Sequence, residues 1–187
     1  MAILGFSLLA GACQLAWHHN GEFRERIITL KPEQTHAGIL ISSIKEFLPM
    51  PPEVITTTTG PGSFTSIRIQ LAAAIGFKIG YQAKLFCPNT LDFLEWASNG
   101  AIPVIDSFRG DYFTKIDGIV KCVTTQEIEA LKNTGKSFCG DIGWAPENSA
   151  LYLLKYYLCY PDPENLCNPE PYYVRTPEYK TRANYQG

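Results

Sequence analysis

The sequence has no strong excess of charge of either sign. Among its 187 residues, Lys and Arg number 16 and Asp and Glu number 18, which gives a net charge of -2 at pH 7. Surfaces that hold nucleic acid are usually strongly basic, so we expect any RNA contact to depend mainly on another chain. With 45% hydrophobic and 18% charged residues, the composition is typical of a folded globular protein of one domain or two small lobes.

Long apolar runs and signals for export are also missing. No stretch of about 18 apolar residues free of charge occurs, so a membrane span is not predicted. The first 17 residues, MAILGFSLLAGACQLAW, are apolar, but no Lys or Arg precedes them as an export signal requires. The six cysteines are too few for a disulfide framework and include no Cys-x-x-Cys pair, so we expect buried thiols of a cytoplasmic protein.

Residues in patterns typical of catalysis are scarce. The three histidines, His18, His19 and His36, have no histidine partner four residues away, and no Gly-x-Ser-x-Gly elbow occurs. Asp106 and Asp111 flank the sequence SFRG and could act as paired acids. They are explained more simply as turn residues that join two strands.

The sequence does contain two successive units of β-hairpin followed by helices, which meet near residue 100. This order predicts an α/β protein with an N-terminal lobe at residues 1–100 and a smaller C-terminal lobe with a terminal tail at residues 101–187. Strands are predicted at 2–9, 12–17, 22–30, 53–59, 83–87, 101–107, 111–117, 118–123, 137–140 and 171–175. Helices are predicted at 34–48, 64–80, 90–98, 125–133 and 149–159.

The helix predicted at residues 64–80 is apolar nearly all round. One row is formed by Ile67, Leu71, Ile75 and Ile79, beside a small-residue row of Ala72, Gly76 and Gly80, while Arg68, Gln70 and Lys78 are the polar residues. Two glycines in a helix cost about 1 kcal/mol each relative to alanine, which close approach of another backbone would offset. We therefore predict that one side covers the chain's own sheet and that the other contacts a second chain. Burial of both sides within this chain is the alternative.

The turn Gly60-Pro61-Gly62-Ser63 before this helix admits two interpretations. A strand, a glycine-rich turn and a helix N-terminus can form an anion site. However, no Lys-Ser or Lys-Thr follows at P-loop spacing, and Pro61 lacks an N–H donor. With Ser63 or Thr65 as helix cap, the turn needs no ligand to explain it, and we favour this structural interpretation.

Several motifs together resemble those of the tRNA threonylcarbamoyladenosine biosynthesis protein TsaB family, also called YeaZ. GPGSFTSIR resembles the family's Gly-Pro-Gly-Ser-Phe-Thr-Gly-hydrophobic-Arg segment, which is its most specific motif. MAILGFSLLAGACQLAW resembles its first hairpin, EQTHAGIL the opening of its first helix, IDSFRGDYF its Asp-Ala-Arg-x-Gly-Glu-Val-Tyr segment, CGDIGW its Gly-x-Gly-Trp segment and EPYYVR its Pro-x-Tyr-Leu-Arg strand. The order of these weaker motifs extends the resemblance along the whole chain.

The resemblance implies an actin-like ATPase (ribonuclease H-like) fold in two lobes with a reduced second lobe. It also implies a non-catalytic subunit that supports TsaD, the enzyme that transfers threonylcarbamoyl to adenosine in tRNAs reading codons that begin with A. The partner surface would lie on the helices at 34–48 and 64–80, and the residues predicted to contribute from the second helix are Ile67, Arg68, Leu71, Ala72, Ile75, Gly76, Ile79 and Gly80. The same helices would allow a homodimer.

The resemblance implies that this chain alone binds no cofactor. It leaves open that ATP or ADP binds in the assembled complex. A TsaE-like ATPase would join a larger complex, and tRNA would be contacted indirectly.

Three departures from the family pattern have consequences of their own. Ser7 stands where actin-like kinases carry an Asp, so a carboxylate that could order a magnesium nucleotide is missing. Ser66 and Gln70 replace family glycines, and we expect them to alter how closely the partner packs. The competing hypothesis is an independent actin-like kinase or ATPase that uses the Gly-Pro-Gly turn for phosphate. A peptidase that acts on TsaD, also proposed for relatives, finds no nucleophile and base here.

Overall fold

The structure, a computed structural model, describes residues 1–9, 12–29, 31, 35–160 and 169–175. These residues form two β-sheets with helices against them. The elements are β1 (Ala2–Leu9), β2 (Ala12–His19), β3 (Glu22–Thr29), α1 (His36–Phe47), β4 (Val54–Thr56), α2 (Phe64–Tyr81), β5 (Lys84–Phe86), α3 (Thr90–Ala97), β6 (Ile102–Asp106), β7 (Asp111–Ile116), β8 (Ile119–Thr124), α4 (Thr125–Lys132), β9 (Phe138–Gly140) and α5 (Ser149–Cys159).

The first sheet has five strands in the order β3-β2-β1-β4-β5. Strands β1, β2 and β3 are antiparallel, whereas β4 and β5 run parallel to β1. Asn20 and Gly21 join β2 to β3 with positive φ angles of 50° and 86°, as expected for an Asn-Gly hairpin turn. The three sequential strands predicted at the start of the chain are therefore confirmed.

The second sheet repeats the arrangement of the first with one strand fewer. Its order is β8-β7-β6-β9, with an antiparallel meander of three strands and β9 parallel to β6. Among the described residues no strand takes the place that β5 has in the first sheet. Instead, the main chain of Trp144 lies along β9, donating to Phe138 at 3.0 Å and accepting from Gly140 at 2.8 Å. The prediction of two α/β units with a reduced second one is confirmed.

Helix α3 from the first half of the sequence packs on the second sheet, and helix α5 from the second half packs on the first sheet. Helices α1 and α2 cover one face of the first sheet, and α5, from the second half of the sequence, covers the opposite face. There Ala150 and Leu154 pack on Ile3, Ala16 and Val54. Helix α3, from the first half, packs on β6, β7 and β9. The predicted lobes at 1–100 and 101–187 therefore exchange helices.

A partly exposed ion-pair cluster helps to hold α3 on the second sheet. The Lys115 ammonium group donates to Asp92 at 2.7 Å and to Glu95 at 2.8 Å. These hydrogen bonds, first of all the one to Asp92, raise the pKa of Lys115. The lysine stays charged throughout the physiological range and joins α3 to β7.

The strand predicted at residues 171–175 is not formed. This segment has no strand pairing, and its bonds run to the Thr59 carbonyl and to side chains of both lobes. The segment is therefore irregular, although its residues favour strands, because its hydrogen bonds go to Thr59 and to side chains instead of to a neighbouring strand.

Smaller differences concern β4 and the cysteines. Only Val54–Thr56 of the segment 53–59 is a strand, although the threonines that follow are buried. Cys13, Cys87 and Cys139 are buried as expected, Cys122 is half-buried, and Cys159 is exposed. Cys167, the break at residues 10–11 and the tail beyond residue 175 lie outside the described residues.

Within the described ranges, no helix combines the length and the hydrophobicity that crossing a membrane would require.

Candidate functional site

Helix α2 is positioned by strong signals at both ends. Ser63 caps its start, since its hydroxyl accepts from the Ser66 N–H at 3.5 Å and its carbonyl from the Ile67 N–H at 3.0 Å. The helix ends at Gln82, which adopts the left-handed conformation with φ of 56°. Over the 18 residues between these caps, one side faces the first sheet.

The side of α2 that faces away from the sheet is exposed and mainly apolar. Ile75 is 37% exposed and Ile79 is 72% exposed. Arg68, Ala72, Gly76 and Gly80, all predicted to bind a partner, are exposed on the same side. A Cβ added to either Gly76 or Gly80 would meet no atom within 4 Å. Close packing among the described residues therefore does not explain the two glycines.

A shallow apolar groove separates α1 from α2. Its volume is about 480 Å³, and it is lined by Ala37, Ile41, Ile69, Ala72, Ala73, Gly76 and Phe77. Ile41 on the α1 side is 38% exposed. No charged side chain lines the groove, so a ligand here would be bound by apolar contact and shape. Sequence periodicity identifies the contribution of α2, but only the packing of α1 against α2 produces the groove.

Ile67 and Leu71 do not belong to this exposed surface. They are only 4% and 2% exposed and pack in the core of the first sheet. Residues spaced by four advance about 40° around a helix, so the row that begins with Ile67 rotates from the sheet toward solvent before Ile75. Of the predicted contact residues, Ile67 and Leu71 are therefore buried in this chain, whereas Arg68, the later members of that row and the small-residue row are exposed.

Gln70 also faces inward, contrary to the expectation that it would affect partner packing. Its side-chain oxygen accepts from the Leu8 N–H at 3.2 Å, and its side-chain nitrogen donates to the Thr58 carbonyl at 2.8 Å. The residue is 2% exposed. Gln70 therefore joins the end of β1 to the chain that follows β4. Ser66, the other departure expected to alter packing with a partner, is also buried, at 6% exposed.

The turn at residues 60–63 is fixed by contacts within the chain. Gly60 has φ of 108°, and an added Cβ would lie 2.8 Å from the Ile67 side chain and 3.0 Å from the Tyr172 carbonyl. The Gly60 carbonyl accepts from the Thr90 N–H at 2.7 Å. Glycine is thus required here by left-handed geometry and close packing. These contacts account for the turn without a bound phosphate.

A cleft of about 510 Å³ lies between this turn and the hairpin that joins β6 to β7. It is lined by Pro61, Gly62, Ser63, Phe64, Thr65, Ser107, Phe108, Arg109, Phe113, Tyr172, Tyr173, Val174 and Arg175. The lining is rich in aromatic rings, and none of the described residues that form it is a carboxylate. Phe108, at the hairpin tip, is 73% exposed and has a positive φ of 60°.

The acidic residues near the cleft are engaged in local structure. Asp106 accepts from the Phe108 N–H at 2.6 Å, which stabilises the hairpin turn, and Asp111 bonds to Ser107 and Arg175. The described part of the chain contains no cluster of three potential metal-ligating side chains. The geometry agrees with the interpretation of both aspartates as turn residues.

Ser7, at the position of the missing aspartate, is fully buried in β1. Its hydroxyl and that of Thr56 have no hydrogen-bond partner among the described residues. A carboxylate in such a place would need a compensating cation or donors.

One contact of the site was not predicted from the sequence. The Tyr173 ring stacks on Phe64 at 5.5 Å, and its hydroxyl accepts from Arg68 at 2.8 Å. Tyr173 follows a segment with four prolines and is remote in sequence, so no local periodicity relates it to α2. Only the tertiary structure brings the two together.

Comparison with known proteins gives structural matches only. No protein-family model matches the sequence, and no curated protein matches it. A crystal structure of an uncharacterized protein with similarity to peptidase YEAZ from Pseudomonas aeruginosa is 15% identical, with a TM-score of 0.65, covering 93% of this chain and 99% of that chain. YeaZ from Pseudomonas aeruginosa is 16% identical, with a TM-score of 0.64, covering 92% and 99%.

These likenesses extend over nearly the whole of each chain, so they include both sheets and the crossing helices. The structure has the actin-like, ribonuclease H-like fold, as the motifs indicated, and its structural neighbours include YeaZ. At this low sequence identity, the likeness shows the fold and leaves the activity to be argued from the site.

Proposed function

We propose that the chain is a TsaB (YeaZ) family protein that acts as a non-catalytic subunit. It would bind a TsaD-like catalytic subunit and support formation of threonylcarbamoyladenosine in tRNAs reading codons that begin with A. The resemblance of the motifs supplies the identity of the partner, and the fold of YeaZ supports that resemblance.

The exposed groove between α1 and α2 carries this proposal. A surface helix normally exposes polar residues, whereas this one exposes Ile75, Ile79 and two glycines beside an apolar groove. The open space over Gly76 would let a partner helix approach its backbone closely. Burial of this face by another chain would account for both the exposed isoleucines and the cost of the helical glycines.

The assignment of other roles follows from the same proposal. Catalysis and most tRNA contacts would belong to the partner, and ATP or ADP would be bound in the assembled complex rather than by this chain alone. A TsaE-like ATPase would join the larger complex in the cytoplasm. Two copies of this chain could also pair through the α1–α2 groove, in competition with the catalytic subunit.

Co-expression with a TsaD protein, followed by size-exclusion chromatography, tests the proposed complex. We expect one peak containing both chains, with a contact area of about 800 Å² or more on each partner. Elution of two folded proteins in separate peaks would overturn the proposal.

The substitution Gly76→Leu tests whether the groove is the surface that contacts the TsaD-like subunit. Gly76→Leu places a bulky side chain where an added Cβ meets no other atom, so the isolated chain should fold while the complex is lost. Ala130→Leu is the matched control, because Ala130 is an exposed residue of α4 in the other lobe. Retention of the complex by Gly76→Leu, or its loss in both variants, would argue against this surface.

Titration calorimetry with magnesium ATP tests the competing kinase or ATPase hypothesis. In the part of the chain that the structure describes, the cleft beside the Gly-Pro-Gly turn is lined by no carboxylate that could order the metal. We expect no tight binding to the isolated chain. A micromolar dissociation constant would support the competing hypothesis.

A further inference from the structure

The segment 171–175, called the strap below, crosses the cleft and contacts both lobes. On the side of the first sheet, the Tyr172 N–H donates to the Thr59 carbonyl at 2.8 Å. The Tyr172 carbonyl lies so close to Gly60 that an added Cβ there would be 3.0 Å away. The strap is therefore seated against the start of the Gly-Pro-Gly turn.

The far end of the strap is held by the second sheet. The Arg175 guanidinium donates to the Asp111 carboxylate at the start of β7 and to the Cys122 sulfur of β8, the latter at 2.8 Å. Asp111 also accepts from the Ser107 hydroxyl in the β6–β7 hairpin. A charge-assisted bond thus connects the strap to the hairpin that forms the opposite wall of the cleft.

The middle of the strap contacts the exposed face of α2. Tyr173 accepts from Arg68 and stacks on Phe64, and the Arg68 guanidinium lies 3.7 Å from the centre of the Phe64 ring. A helix places Phe64, Arg68, Ile75 and Ile79 within about 60° of one another. Tyr173 therefore orders two side chains on the same exposed side of α2 as Ile75 and Ile79.

We propose that the strap is a clasp that couples closure of the two lobes to the partner surface. With the clasp engaged, Arg175 holds the second sheet while Tyr173 fixes Phe64 and Arg68 in the conformation that the partner binds. With the clasp released, the lobes move apart more freely and the first turn of α2 loses that order. This inference rests on the proposed function for the identity of the surface, but the coupling between the lobes is a property of the isolated chain.

The contacts of the clasp suit a reversible element. Arg175 and Arg68 are exposed, and the strap buries no large apolar side chain. Segments with few buried contacts and solvent-exposed hydrogen bonds open locally well below the energy of global unfolding. A partner that binds only the engaged state would draw the equilibrium toward the closed clasp.

Hydrogen exchange measured by mass spectrometry tests the coupling in the full chain without a partner. Tyr173→Ala removes the contacts with α2, and we expect faster exchange both at residues 57–66 and in the β6–β7 hairpin. Tyr172→Phe is the matched control, since its contact with Thr59 uses only the backbone. Faster exchange at 57–66 alone would overturn the coupling, because the strap would then act on one lobe only.

Affinity for the TsaD partner tests the second half of the inference. Arg175 contacts the second lobe and not α2. Arg175→Gln should therefore weaken binding of the TsaD partner only if loss of the contact with the second lobe alters α2 through the strap. We expect about a tenfold loss of affinity for both Tyr173→Ala and Arg175→Gln, since each loses a charge-assisted hydrogen bond. Tyr172→Phe should bind like the wild type.

The outcomes separate this inference from the proposed function. If the wild type does not bind TsaD, the proposed function fails while the exchange experiment still decides the coupling. If the wild type binds and Arg175→Gln binds equally well, the clasp is rejected. Weaker binding by Arg175→Gln without faster exchange at residues 57–66 would reveal a direct partner contact and reject it as well.

Discussion

At the scale of single residues, Gln70 shows how one buried polar side chain can connect a mainly apolar helix to neighbouring backbone segments by hydrogen bonds. It lies in α2 among core residues, but both ends of its amide are bonded to neighbouring segments, Leu8 on one side and Thr58 on the other. A buried backbone N–H left without a partner is costly, so this one side chain stabilises the end of β1, the central strand of the first sheet.

We predict that Gln70→Ala lowers the free energy of unfolding by about 1–3 kcal/mol, because the Leu8 N–H and the Thr58 carbonyl would lose a buried partner. Urea unfolding followed by circular dichroism measures the change. Gln126→Ala in α4 is the control, since Gln126 is exposed, and it should have little effect. Equal stability of Gln70→Ala and the wild type would show that the two groups find other partners.

At the scale of elements, α4 has a complete capping box. The Thr124 hydroxyl accepts from the Glu127 N–H, and the Glu127 carboxylate accepts from the Thr124 N–H at 2.7 Å. The backbone bond, followed by the side-chain bond to Thr124, lowers the pKa of Glu127. A carboxylate with a lowered folded pKa stabilises the fold above its unfolded pKa, and the effect is lost as the pH falls through the folded value.

The start of α4 should therefore loosen as the pH is lowered from 6 toward 3. Exchange rates at residues 124–128, corrected for the intrinsic effect of pH, measure this loosening. Glu127→Gln should remove most of the pH dependence, because the amide does not titrate in this range. A pH response of the same size in the variant would assign it to other carboxylates.

Helix α2 supplies a second prediction at this scale. Gly76→Ala should stabilise the isolated chain by about 0.5–1 kcal/mol, since alanine favours the helix and its Cβ meets nothing within 4 Å. Thermal unfolding of the free chain measures the gain. Gly5→Ala is the contrasting variant: its Cβ would lie 2.7 Å from the Ala150 carbonyl, so it should destabilise. A loss of stability in Gly76→Ala would indicate packing against this glycine within the chain.

At the scale of the whole molecule, the exchange of α3 and α5 between the two sheets makes the lobes depend on each other. Leu91 and Phe93 of α3 are fully buried in a cluster that includes Ile105 and Cys139 of the second sheet. On the other side, α5 covers Ile3 and Val54 of the first sheet. Neither sheet is covered on its faces by helices from its own half alone.

We predict that residues 1–100 expressed alone do not form the native first lobe, because loss of α5 exposes an apolar face of the sheet. A two-dimensional NMR spectrum should show poor dispersion for this fragment, and addition of residues 101–187 should restore native signals. A well-dispersed spectrum that matches the full chain would show that the first sheet is stable without α5.

The local structure was largely predictable from the sequence. The hairpin of β1 and β2, the hairpin of β7 and β8 and the Ser63 cap each depend on a few neighbouring residues, and they appear where expected. The segment 171–175 was mispredicted as a strand because β-propensity cannot reveal that its bonds go to Thr59 and to side chains of both lobes instead of to a neighbouring strand. The same limit concealed the contact between Tyr173 and α2.

The sequence by itself determined the succession of elements, the glycine-rich turn and the mainly apolar character of α2, since these depend on residues close together in the chain. Only the tertiary structure decided which side of α2 faces the sheet, so that Ile67 and Leu71 entered the core while Ile79 remained exposed. It also decided that α3 and α5 exchange lobes and that the strap spans the cleft. These outcomes depend on contacts between residues more than 100 positions apart, such as Arg68 with Tyr173 and Gln14 with Ser149, which no local pattern encodes.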